Sequence, residues 1–155
     1  MEKKELYKTA NAKTSFIAES LLGSTARDGT EYNKIVFVLI LRDGDNKAQQ
    51  TVKYFLDVPT IKVLTTDLFA RNLQGEFSGF KQHGGTQRGM NIKPLDEGDY
   101  RLFIMNSNGS DDKQSLYFDL TAWQVRELAI TILDHVRNYE LAKSIKLSLR
   151  DIQLS

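Results

Sequence analysis

The chain has 155 residues, 41% of them hydrophobic and 26% charged, which describes one globular domain with enough apolar material for a real core. It contains no cysteine, which excludes disulfide scaffolds, cysteine-based zinc sites and thiolate nucleophiles. A net charge of +1 supplies no global pull toward nucleic acid, so any such binding must rest on local charge.

The start, Met1-Glu2-Lys3-Lys4-Glu5, is charged with no apolar run behind it, and no stretch approaches a membrane span. Both features predict a cytoplasmic protein that does not enter a membrane. Residues 1–13 carry Lys3, Lys4, Lys8 and Lys13 against Glu2 and Glu5, and read as a basic N-terminal arm or an ordinary solvated terminus. Residues 14–22 read as a strand, and 23–33 as a polar connection that turns at Arg27-Asp28-Gly29. The most apolar run, 34–42, suits a central strand covered on both faces. The Asp43-Gly44-Asp45-Asn46 turn leads to a strand over 51–58. Pro59 then occupies the first turn of a short helix over 60–72, where Ile61, Val63, Leu64, Leu68 and Phe69 have helical spacing.

Gly84-Gly85 is a two-residue hairpin turn between strands over 75–83 and 86–93. Pro94 and the Asp96-Glu97-Gly98 turn precede a strand over 100–105, a polar loop over 106–113, and a strand over 115–120. Thr121-Ala122-Trp123-Gln124 is a Thr-x-x-Gln capping box, which starts a helix at Ala122. Val125, Leu128, Ala129, Ile132, Leu133 and Val136 gather on one stripe of that helix, which the pattern carries to Lys143. The tail, 144–155, alternates apolar and polar residues at first and is expected to cover a neighbouring subunit.

Phe55-Leu56-Asp57-Val58-Pro59 and Tyr117-Phe118-Asp119-Leu120-Thr121 match in kind without a gap, and at both a strand gives way to a helix. The chain therefore parses as a single α+β domain over 14–143 made of two ββββα modules, near 14–72 and 75–143. Arm 1–13 and tail 144–155 flank it.

Chemical motifs are mostly missing. His83 and His135 have no metal-ligand partner at helical spacing. Gly84-Gly85-Thr86-Gln87-Arg88-Gly89 lacks the Gly-Lys-Ser/Thr ending of a phosphate loop and precedes a strand instead of a helix. Asp57 and Asp119, both just ahead of a helix, suit local backbone hydrogen bonding better than catalysis. No nucleophile elbow occurs, so the expectation is a non-enzymatic protein with no catalytic residue, metal or cofactor.

The window 77–93 holds Phe77, Phe80, Lys81, His83, Arg88 and Lys93 with no acidic residue, and Gln82, Gln87 and Asn91 add donors. Cations tracking phosphate and rings stacking on bases are how single strands are held. The competing reading puts both phenylalanines in the core and the cations on a solvated face. The candidate contacts are Phe77, Phe80, Lys81, Arg88 and Lys93. Lys34, Lys53, Tyr54 and Arg101 join them because they lie on expected strands.

Arg88-Gly89-Met90-Asn91-Ile92-Lys93-Pro94, the Asp96-Glu97-Gly98 turn, residues 100–106, Tyr117-Phe118-Asp119-Leu120-Thr121 and the long helix resemble the second half of the Whirly single-stranded-DNA-binding domain. Residues 52–69, with strand, Pro59 and short helix, resemble its first half. The resemblance spreads over most of 14–143 and implies two four-stranded antiparallel sheets packed crosswise, with helices that buttress them and join protomers. It also implies a homotetramer that lays single-stranded DNA along sheet edges with little sequence preference. Positive cofactor four coactivators and kinetoplastid guide-RNA-binding proteins have kindred folds. The Lys-Gly-Lys-Ala-Ala-Leu motif of plant members has only a loose counterpart in Tyr7-Lys8-Thr9-Ala10-Asn11-Ala12-Lys13, which points to a distant bacterial or viral relative.

The leading expectation is an oligomeric single-stranded-DNA-binding protein serving replication, recombination, repair or transcription. RNA is the alternative ligand on the same surface, since only contacts to the 2′-hydroxyl separate the two. A structural or adaptor protein that binds other proteins is the alternative from another class.

Overall fold

A computed structural model describes residues 3–70, 76–109 and 112–154. In chain order they form β1 (Lys4–Ala10), β2 (Thr14–Ser20), β3 (Lys34–Arg42), β4 (Ala48–Asp57), α1 (Val58–Ala70), β5 (Phe77–His83), β6 (Thr86–Pro94), β7 (Tyr100–Ser107), β8 (Lys113–Leu120) and α2 (Ala122–Leu154). Strands β1 to β4 make one antiparallel sheet in sequential order and β5 to β8 make another, each followed by a helix. No helix among the described residues is long and apolar enough to cross a membrane.

Alternation along the strands decides which side chains share the core. Across the first sheet, Phe16, Leu39 and Val52 align in one row and Ala18, Phe37 and Tyr54 in the next, and all are buried. Across the second, Ile92, Leu102 and Phe118 align beside Met90 and Ile104. The two inner faces meet in one core, where the Phe16 ring lies 5.4 Å from Phe37 and 6.2 Å from Phe118. Strand β3, between β2 and β4, is buried on both faces.

Both helices start on side-chain caps. The Asp57 carboxylate accepts the Thr60 N–H at 3.0 Å, so α1 begins at Val58, and its expected end at Asn72 lies outside the described residues. At α2 the box closes reciprocally: Gln124 N–H donates to Thr121 Oγ1 at 3.2 Å and Thr121 N–H to Gln124 Oε1 at 2.9 Å. Asp119 takes no such backbone bond among the described residues; its carboxylate pairs with Arg101 instead. The repeated five residues are in register within their strands, where Leu56 and Phe118 are both buried, but the second helix starts two residues later.

Two terminal expectations are corrected. Most of the supposed arm is β1, the edge strand of the first sheet. A bulge between Glu5 and Tyr7 breaks its alternation, so the consecutive Leu6 and Tyr7 both pack on the core. The tail continues α2 to Leu154, because extending a helix already nucleated costs little. Over its first half α2 buries Val125, Leu128, Ala129, Ile132 and Val136. There Gln124 Nε2 donates to Thr9 Oγ1 at 3.0 Å, and His135 Nε2 lies 2.6 Å from Ser20 Oγ.

Two measurements probe this packing. A Cβ at Gly79 would lie 2.9 Å from Cζ of Tyr54, with the hydroxyl closer still. Gly79→Ala is expected to destabilise the fold by about 1–3 kcal/mol in urea unfolding, less in a Tyr54→Phe background. Burial first, then the charge of Lys4, hold the His135 imidazole below its ordinary 6.5. A depressed folded-state value favours the neutral ring, so its contribution is complete above that ordinary value and is lost as pH falls below it. Unfolding midpoints at pH 7.5 and 5.5 should differ less in His135→Gln than in the parent.

Candidate nucleic-acid interface

The β5–β8 sheet turns a second face away from the core, and alternation determines what it shows. In one row Phe103 on β7 sits beside Tyr117 on β8, with Asn91 on β6 and Ser78 on β5 continuing it. The adjoining row holds Phe80, Gly89, Met105 and Ser115. Phe80 is 61% exposed, Tyr117 56% and Phe103 36%, so three aromatic rings stand on one solvent-facing sheet surface. Gly89 has no side chain, and the Met105 methyl fills part of that gap, 3.6 Å from where a Cβ would stand.

Cations border these rings. Arg101 carries its guanidinium 4.5 Å from the Tyr117 ring centre and donates to both oxygens of Asp119, at 2.7 and 3.0 Å. That hydrogen bond, then the carboxylate charge, raises the Arg101 pKa. Lys93 Nζ lies 3.4 Å from Glu76. All four charged groups are about half exposed, so solvent screens both pairs, the bidentate Arg101–Asp119 pair less than the single Lys93–Glu76 contact.

The other expected cations lie elsewhere. Alternation places Lys81 and Arg88 on the inner face of β5 and β6, in one row with Asn106 of β7. There they meet the free edge of β4. Asn106 Nδ2 donates to the Lys53 carbonyl at 2.8 Å, and the Lys53 N–H donates to Asn106 Oδ1 at 2.9 Å. Lys81 Nζ donates to the Phe55 carbonyl at 2.5 Å and lies 5.3 Å from the Tyr54 ring centre. The Arg88 guanidinium stands 4.9 Å from the Phe55 ring, and its buried Nη1 has no hydrogen-bond partner among the described residues.

Cations crowd this junction. Burial first, then the charges of Lys3 and Arg88, lower the Lys53 pKa against an opposing pull from Glu19. Burial and Lys34 lower that of Lys81, while Asp57 opposes them.

The expected contacts therefore divide. Phe80, Lys93 and Arg101 share the outer face of the second sheet, whereas Lys34, Lys53, Lys81 and Arg88 cluster where the sheets join. Tyr54 and Phe77 are corrected: Tyr54 is 3% exposed within the core, and Phe77 packs against it from the inner face of β5. Phe103 and Tyr117 escaped the sequence reading, although counting alternate residues from Leu102 and Phe118 puts both outside. The side chain of His83 lies outside the description. No cluster of three or more His, Asp or Glu able to hold a metal occurs among the described residues.

No protein-family model matches the chain, and no curated protein matches it. Among solved structures it is similar to the crystal structure of MRP1/MRP2 from Trypanosoma brucei, with a TM-score of 0.55. The match covers 92% of this chain and 86% of that one at 11% identity, which is a likeness of fold alone.

The two groups of residues should respond differently to substitution. Lys81→Met removes a charged donor from a part-buried carbonyl and is expected to cost about 1–3 kcal/mol in urea unfolding. Phe80→Ala, on the open face, is expected to change stability by about 0.5 kcal/mol or less.

Proposed function

We propose that the chain is a non-enzymatic single-stranded-DNA-binding protein, a distant relative of the Whirly domain, that acts in replication, recombination, repair or transcription. The observation that carries this reading is the exposed trio Phe80, Phe103 and Tyr117 on one sheet face, bordered by Arg101 and Lys93. Three accessible rings offer stacking platforms to unpaired bases, and every base has a face to stack, so recognition is largely independent of sequence. Phosphates displace Asp119 and Glu76 from Arg101 and Lys93 and gain charge-assisted hydrogen bonds in return.

Strand β5 is the outer strand of its sheet, and its consecutive residues Phe80 and Lys81 face opposite ways. A nucleic-acid strand crossing that edge passes from the rings to the cation cluster of Lys81, Lys34, Lys53 and Arg88. The sheets are packed crosswise, the helices join protomers into a homotetramer, and the assembly works in the cytoplasm without cofactor, metal or membrane.

The test is fluorescence anisotropy with labelled single-stranded DNA, duplex DNA and RNA of one length at two salt concentrations, with light scattering on the same sample. A tetramer with salt-sensitive preference for the single DNA strand is expected. Phe80→Ala, Phe103→Ala and Tyr117→Ala should each weaken binding by about 1–3 kcal/mol. Unchanged affinity in all three removes this face as the site, preference for RNA moves the reading to RNA, and no binding to any of the three overturns it.

A further inference from the structure

Past Val136 the helix α2 outruns the sheets, and residues 141–150 are exposed throughout. At 100° per residue, the face that buries Val125, Leu128, Ile132 and Val136 upstream is continued by Tyr139, Lys143, Lys146 and Arg150. This face and the connection between β2 and β3 bound a groove of about 940 Å3, which runs from Tyr139 to Gln153, about 21 Å of helix.

The groove carries a net positive charge, three cations against one carboxylate. Glu31 is the one carboxylate in its lining among the described residues, and it is engaged: it accepts the Tyr139 hydroxyl and lies 3.9 Å from Lys143. Lys146 and Arg150 have no carboxylate partner among the described residues. Gly23 forms part of the opposite wall at φ 82°, a conformation that suits glycine, with the Tyr139 ring 3.6 Å from where a Cβ would stand. The lining is also apolar, since Leu147 and Leu149, 54% and 55% exposed, flank the basic stripe.

We infer that this groove is a docking site for a protein partner, which it binds through an acidic peptide segment bearing apolar side chains. Both halves of the lining select this chemistry. A phosphodiester strand would answer the cations but leave Leu147 and Leu149 in water, and the one ring in the lining, Tyr139, has its hydroxyl tied to Glu31. An acidic segment with leucine or phenylalanine side chains meets cation and leucine together. The length fits about six extended residues or a helix of about fourteen. The inference does not depend on single-strand binding by the sheet face.

The test uses the full chain and two labelled twelve-residue peptides, one of Asp, Glu, Leu and Phe, the other with glycine at every apolar position. Anisotropy should show saturable binding of the first and at least about tenfold weaker binding of the second. The exposed double variant Lys146→Glu with Arg150→Glu should lose at least about tenfold, and Leu147→Ser severalfold, with unchanged circular dichroism. Neither variant should alter single-stranded DNA binding, and Phe80→Ala should leave peptide binding intact. No binding of the first peptide, equal binding of both, or indifference to the charge reversal overturns the proposal. Displacement of the peptide by an oligonucleotide whose own binding is lost in the charge-reversed variant assigns the groove to nucleic acid and overturns it equally.

Discussion

The free edge of β4 is the constraint on which the rest of the molecule depends. An outer strand carries backbone groups that need partners once another layer covers them, and the second sheet lies against this one. Asn106 supplies a donor and an acceptor to Lys53 as a neighbouring strand would, and Lys81 takes the next carbonyl at Phe55. Gly79 keeps β5 clear of Tyr54. Two sheets that share no strand pairing are thereby joined through side-chain amide, ammonium and guanidinium groups.

That junction draws Lys81 and Arg88 inward and leaves the rings on the other side of the same sheet. A strand that sends one residue to the core sends the next to solvent, so the segment containing Phe80 and Lys81 serves stability and exposure at once. The cations of the open face, Arg101 and Lys93, are held by carboxylates. Such a surface is near neutral, because each of these cations stands against a carboxylate. This arrangement is how the proposed single-strand binding is reconciled with a chain of net charge +1.

Helix α2 divides its work by length. Its 33 residues span about 50 Å, more than the sheets can cover, so one helical face is apolar against the core and then basic beyond it. The change falls near Tyr139, where the hydroxyl reaches Glu31 of the β2–β3 connection, and burial followed by that hydrogen bond raises its pKa to about 12. The phenol stays protonated at any ordinary pH and holds the connection to the helix.

The sequence by itself determined the elements whose signals are local. The Thr121 and Gln124 box, Pro59 in a first helical turn, the Gly84-Gly85 hairpin and the doubly apolar β3 each act within a few residues, and each was legible. The repeat of a strand passing into a helix was legible for the same reason. Strand β1 was not, because a bulge puts Leu6 and Tyr7 on the same side and only pairing with β2 stabilises so charged an edge. Nor was the end of α2, where Ile145-Lys146-Leu147-Ser148-Leu149 alternates like a strand but extends a helix begun more than twenty residues earlier. Which face of β5 and β6 turns inward was decided only by the second sheet meeting the edge of β4. Composition marks Phe77, Phe80, Lys81 and Arg88 alike, and their division between core, junction and open surface follows from a packing partner far away in the chain.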